Sequence, residues 1–283
     1  MGSGWHEWPL VIFTVFGQCV VGAMLVMGIA LIRENDTQAR ERILRMMFFM
    51  WLVMGVGFIA SVLHLGSPLR AFNSLNRIGD SALSNEIASG SLFFAVGGLG
   101  WLLAVLNKLP AALRTLWLVV TMVLGIVFVW AMTRVYQIDT VPTWHNGYTT
   151  LGFFLTVLLG GPLFAALLLQ MAKVKMKGRA AALSALALLA TVAVVVLQSN
   201  ELATLHSSVQ QASRLLPDYG SLQVWRIILL TAGLGCWLCP LLRRQSPKAG
   251  SLAAGLVLVL AGELMGRALF YGLHMTTGVA IAG

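Results

Sequence analysis

Eight apolar runs of about twenty residues, separated by short polar breaks, decide what this chain can become. They lie roughly at 9–32, 46–65, 87–106, 115–135, 149–171, 180–199, 224–242 and 250–271. Inside hydrocarbon no water satisfies a backbone N–H or C=O, so only helices or a closed barrel can cross. A barrel would show segments of about ten residues alternating apolar and polar. These runs are continuous, and only 10% of the residues are charged, against about 25% in soluble domains. The expected fold is an all-α integral membrane protein, a bundle of eight transmembrane helices forming one domain over 1–283. Trp8, Trp117, Tyr136, Trp144, Trp225 and Tyr271 mark run ends, as an aromatic belt requires. The opening MGSGWHEWP has no basic segment, so the first run reads as a span and not as a cleaved leader.

The formal net charge of +9 would suit nucleic acid, but its distribution assigns it elsewhere. Arg33, Arg40, Arg42, Arg45, Lys108, Arg114, Lys173, Lys175, Lys177, Arg179, Arg243, Arg244 and Lys248 all fall in alternate breaks on one side. The positive-inside rule places that side in the cytoplasm and both termini outside. His6, His64, His145, His206 and His274 all fall on the other side or at its boundary. The longer breaks there, roughly 66–86, 136–148 and 200–223, are where a partner would dock. His64 and His206 each close an even-numbered run, a spacing that would suit two four-span halves in parallel orientation.

The segment HLGSPLRAFNSLNRIGDSALSNEIASG, from His64 to Gly90, concentrates polar and ionisable groups between two spans. Such groups at a membrane boundary cost free energy unless they are paired, solvated or used. An imidazole at a span end can take a proton near neutral pH, although a helix C-terminus also favours a His on its own account. Glu86 opens the third run, where a carboxylate suits the helix dipole and Ser84 would serve as N-cap. One loop joins the two spans, so His64 and Glu86 can converge at one boundary for two-proton chemistry. Arg70 and Arg77 between them would hold the loop or meet an acidic partner. Glu263 and Arg267, four apart, are expected to pair on one face of the last span beside the small pair Gly262 and Gly266.

No His lies deep in any run, so a transmembrane haem is not expected, nor an electron route across the bilayer. Cys236 and Cys239 form a C-x-x-C without a second ligand pair, and with Cys19 they read as inert apolar thiols and not as a metal site.

The phrases WHEWPLVIFTVFGQ, GFIASVLHLGSPLRAFNSLNRIG, LSNEIASGSLFFAVGG, IDTVPTW, HSSVQQAS, PDYGSLQVWR and AGELMGRALFYGLHMT run from end to end. Together they resemble the membrane anchor subunit of dimethyl sulfoxide reductase, the DmsC type. VYQIDTVPTWHNGYTT is similar to the paralogous Ynf-type anchor. The resemblance implies eight spans with periplasmic termini and oxidation of menaquinol to menaquinone. It also implies electron transfer to an iron–sulfur subunit docked on the periplasmic face beside a molybdopterin catalytic subunit. It places the quinol site between His64 and Glu86, with Gly66, Arg70, Phe72 and Ser74 shaping it. Two other readings stay open: a secondary transporter, which would place polar groups near the midplane on broken helices, and an anchor without a quinol site.

Overall fold

The computed structural model describes residues 3–64, 75–176, 178–205 and 215–276. Each apolar run is a helix long enough to span: α1 (Trp8–Arg33), α2 (Thr37–His64), α3 (Ala82–Val105), α4 (Ala111–Val135), α5 (Gly147–Met171), α6 (Arg179–Thr204), α7 (Tyr219–Leu242) and α8 (Ala249–Gly272). A 3-10 turn, Ser3–Glu7, precedes α1, and another, Leu75–Arg77, precedes α3. No strand occurs among the described residues. The start of α1 and the end of α8 share one end of the bundle, here called the terminal face; the basic breaks occupy the other.

Hydropathy placed the starts of α2, α3 and α7 five or more residues too late, and for the first two the physical reason is plain. α2 begins nine residues before its apolar run. The Asp36 carboxylate accepts from the N–H groups of Gln38 and Ala39, and Arg45 pairs with Glu41 one turn away at 3.6 Å, so charged residues extend the helix beyond the membrane. α3 begins at Ala82, capped by Ser81, whose hydroxyl accepts from the Ser84 N–H. Ser84 is therefore not the cap but a buried residue inside the first turn. The earlier start carries Glu86 one turn into the helix.

α5 and α7 contain Pro162 and Pro240, yet both helices are continuous. A proline has no N–H to give the carbonyl four residues back. The orphaned Leu158 carbonyl accepts from the Ser184 hydroxyl of α6 at 2.7 Å. The orphaned Cys236 carbonyl accepts from the Ser251 hydroxyl of α8, also at 2.7 Å. A neighbouring helix thus replaces each lost bond, as hydrocarbon demands.

The helices pack as two equivalent halves. Within α1–α4 the close neighbours are α1 with α2, α3 with α4 and α1 with α4; within α5–α8 they are α5 with α6, α7 with α8 and α5 with α8. α1 and α5, the two most buried helices, cross at the centre. A Cβ on Gly22 would lie 2.1 Å from the Val157 carbonyl oxygen, and one on Gly161 would lie 2.4 Å from the Gly22 Cα. Only glycine permits that approach. α3 and α7 match along their length: each runs 24 residues and is followed by a left-handed residue at the same position, Asn107 (φ 56°) and Arg244 (φ 56°). The four-span parallel repeat expected from the His64 and His206 spacing is present in the packing.

Candidate functional site

On α3 the buried positions Glu86, Gly90, Phe93, Gly97, Gly100 and Ala104 recur every three or four residues. That spacing makes a single stripe facing the bundle interior. At Gly90 the stripe meets the Phe128 ring of α4, which a Cβ would touch at 2.5 Å. Phe128 stacks on Phe93 (centroids 6.1 Å apart) and on Phe58 of α2 (6.5 Å). Phe58 in turn touches Phe13 of α1 and Phe94 of α3. Rings from four helices therefore form an aromatic bed one helical turn, about 6 Å, below Glu86.

Glu86 is 4% exposed. Its Oε1 receives no hydrogen bond among the described residues. A buried carboxylate oxygen without a donor is costly, and such groups mark functional positions. At the outer ends of α4 and α8 the Tyr136 and Tyr271 hydroxyls share a hydrogen bond of 2.5 Å. Burial pushes the Tyr136 phenol well above its ordinary range, with further contributions from Tyr271 and then from the Glu86 charge. The phenol therefore keeps its proton. The loop between α4 and α5 pins this corner to α8: the Thr143 hydroxyl donates to the Leu273 carbonyl at 2.6 Å and the Trp144 indole to the Phe270 carbonyl at 2.8 Å.

Beyond the tyrosine pair lies a second polar cluster. The expected pairing of Glu263 with Arg267 is not made. The Glu263 carboxylate accepts from Arg226 of α7 at 3.3 Å and from the Thr156 hydroxyl of α5. Arg267 instead donates to the Gln18 side-chain oxygen of α1 at 2.8 Å and lies 3.5 Å over the Phe153 ring. Two cations compete for one carboxylate. The one on a facing helix reaches it, while Arg267 gains an amide oxygen and an aromatic face. Gly262 and Gly266 do form a contact face, and α7 packs against it.

Of the residues expected from sequence, the structure places Glu86 inside the bundle and His64 at the last position of α2. The His64 side chain and Gly66, Arg70, Phe72 and Ser74 lie outside the described residues, as does His206. His145 contacts Asp139 at 3.0 Å, and His274 lies 4.7 Å from the Trp144 ring, so both belong to the surface of the terminal face. Sequence reading passed over Gln18, Thr156 and Arg226, and took Tyr136 only as an aromatic-belt residue. A polar side chain inside an apolar run was the signal at Gln18 and Thr156; nothing local marked the partner of either.

The family model for the DMSO reductase anchor subunit (DmsC) matches residues 1–273. The chain belongs to the DmsC family. It is 67% identical to YnfH of the anaerobic dimethyl sulfoxide reductase of Escherichia coli K12, over the full length of both. It is 60% identical to the C subunit of the same organism's anaerobic dimethyl sulfoxide reductase and 41% identical to the corresponding C subunit from Haemophilus influenzae, again over full lengths. The DmsC resemblance read from the sequence phrases is thereby confirmed, and the greater likeness to YnfH agrees with the VYQIDTVPTWHNGYTT stretch. A DmsC-family anchor with eight apolar helices is a multi-pass protein of the bacterial inner membrane. As an anchor subunit it is not catalytic by itself.

Proposed function

We propose that this anchor binds menaquinol between the outer ends of α2 and α3 and oxidises it there. The carrying observation is Glu86: a carboxylate one turn inside the bundle, with an oxygen lacking a donor, above an aromatic bed. The bed suits a fused quinone ring, and the free oxygen suits a quinol hydroxyl. Oxidation of menaquinol releases two protons and two electrons. His64, closing α2, takes one proton; Glu86 accepts the hydrogen bond of the other hydroxyl and takes the second. The resemblance adds Gly66, Arg70, Phe72 and Ser74 as residues that shape or support this site. The electrons pass to an iron–sulfur subunit and on to a molybdopterin subunit, both docked on the terminal face, which is periplasmic. Protons are released on that same face, so the step builds no membrane potential.

The placement of charge supports this orientation, since every His lies on or near the terminal face and the basic breaks lie opposite. The unbroken helices, with both proline gaps sealed by serine, argue against the transporter reading, for which interrupted helices at the midplane are expected. Replacing His64 by a residue that cannot titrate should abolish menaquinol-linked turnover in an assembled complex. Retention of full activity would sink the assignment. An anchor without a quinol site would fail to quench a fluorescent quinol analogue.

A further inference from the structure

We propose that the second half of the bundle holds a distinct ligand site, built for one small monoanion and not for a quinol. It is the packing counterpart of the proposed quinol site and stands independently of it.

The halves correspond position by position at this level. Glu86 is the fifth residue of α3, and Gln223, also buried, is the fifth of α7. Phe128 of α4 and Gly266 of α8 likewise share a position, the eighteenth of each helix. In the first half a glycine on α3 makes room for the Phe128 ring of α4. In the second half the exchange is reversed. A Cβ on Gly266 of α8 would lie 2.4 Å from the Arg226 Nε, so the absent side chain houses a guanidinium from α7. Where the first half has an aromatic bed, the second has charge.

Above that charge is a cavity of about 60 Å³. Its lining runs from Tyr148 and Leu273 at the terminal face down to Thr156 and Glu263, about three helical turns inside. About 10–15 Å³ of such space holds one water and about 150 Å³ holds a benzene, so this cavity takes a few water-sized species and a fused quinone ring does not fit. The charged residues lining it are Arg226, Glu263 and Arg267. Glu263 is 2% exposed, Arg267 6%, and the Arg226 side chain 13%. One carboxylate faces two guanidinium groups, leaving one positive charge in excess. Glu86, across the tyrosine pair, does not line the cavity.

Hydrogen bonding shows the same imbalance. Glu263 is satisfied by Arg226 and Thr156. The Nε–H of Arg226 and that of Arg267 have no acceptor among the described residues. The Gln18 oxygen and the Phe153 ring compensate Arg267 only in part, and an anion would supply the counter-charge that a buried cation otherwise lacks. A halide or formate supplies the charge and the acceptor, and it enters from the terminal face.

The experiment uses the purified, intact complex in gluconate buffer, an anion too large for the cavity. Chloride and formate are titrated while the unfolding temperature is followed. A saturable rise with either small anion is expected in the native complex. In R267Q the apparent affinity should fall at least tenfold, and R267K should recover it in part. Quenching of a quinol analogue should be the same in all three, which separates this site from the proposed quinol site. An equal response in R267Q, or no response specific to small anions, overturns the proposal. Should R267Q fail to assemble, anomalous scattering from bromide in the native complex decides: a peak between Arg226 and Arg267 supports the site, and its absence there rejects it.

Discussion

At the scale of single residues, the interior is governed by which donor reaches which acceptor. Glu86 and Glu263 are both buried carboxylates on neighbouring halves. Glu263 is held by a cation and a hydroxyl, whereas Glu86 has an oxygen to spare. The first is a satisfied structural group; the second keeps an acceptor free among the described residues, as the proposed quinol site requires. E86Q should therefore lower menaquinol-linked turnover by about 10² or more, the usual contribution of a positioned acid–base group. Electron delivery from a soluble donor to the partner subunits should be spared, and equal loss with both donors would count against a quinol-specific role. T156V, nearly isosteric, should instead destabilise the fold by about 2 kcal/mol, because it removes a hydrogen bond to a buried charge. Thermal unfolding in detergent measures it, and quinol-linked turnover per folded molecule should not change. Glu86 was legible in the sequence because a charge beside an apolar run must be accounted for. The partner of Glu263 was not. Arg267, on the same helix face, was the nearest candidate by spacing, and Arg226 becomes the partner only once α7 packs on the Gly262 and Gly266 face.

At the scale of elements, the eight helices were visible in the sequence because the bilayer fixes their length and composition. Their ends were less visible. Hydropathy stops where charge begins, but a helix does not: α2 continues through Arg40, Glu41, Arg42 and Arg45 into the basic face, where Arg42 donates to the Ala172 carbonyl that closes α5. Pro162 and Pro240 each remove a backbone donor from a span, and the facing serines of α6 and α8 supply the missing bonds, so neither helix breaks. S184A should cost about 1 kcal/mol, in the range measured for hydrogen bonds between helices in membranes. S184A combined with Pro162→Ala should recover most of that loss, since alanine restores the N–H that the Leu158 carbonyl lacks. A melting comparison of the single and double variants tests this. No recovery would show that Ser184 acts by packing alone.

At the scale of the whole molecule, the repeat was barely legible because the halves share packing more than residues. The same helix order accommodates an aromatic bed in one half and an ion cluster in the other, which erases sequence likeness at the positions where function differs. What the halves keep in common is the central contact of α1 with α5. A leucine at Gly161 would drive its side chain into the Gly22 backbone, at a cost of about 3 kcal/mol or more. G161L should accordingly leave little assembled complex in the membrane, as solubilised yield after gel filtration would reveal; a normal yield would mean that the halves can part without harm. That contact also has a bearing on electron delivery. Tunnelling rates fall exponentially with the gap between donor and acceptor. Where the two halves touch backbone to backbone, no side chain cushions a change in their spacing. For a subunit that hands electrons on, as proposed above, the glycine crossing holds the two halves of the terminal face at one spacing, so a docked iron–sulfur subunit meets the same surface, and the same gap to the quinol, at every turnover.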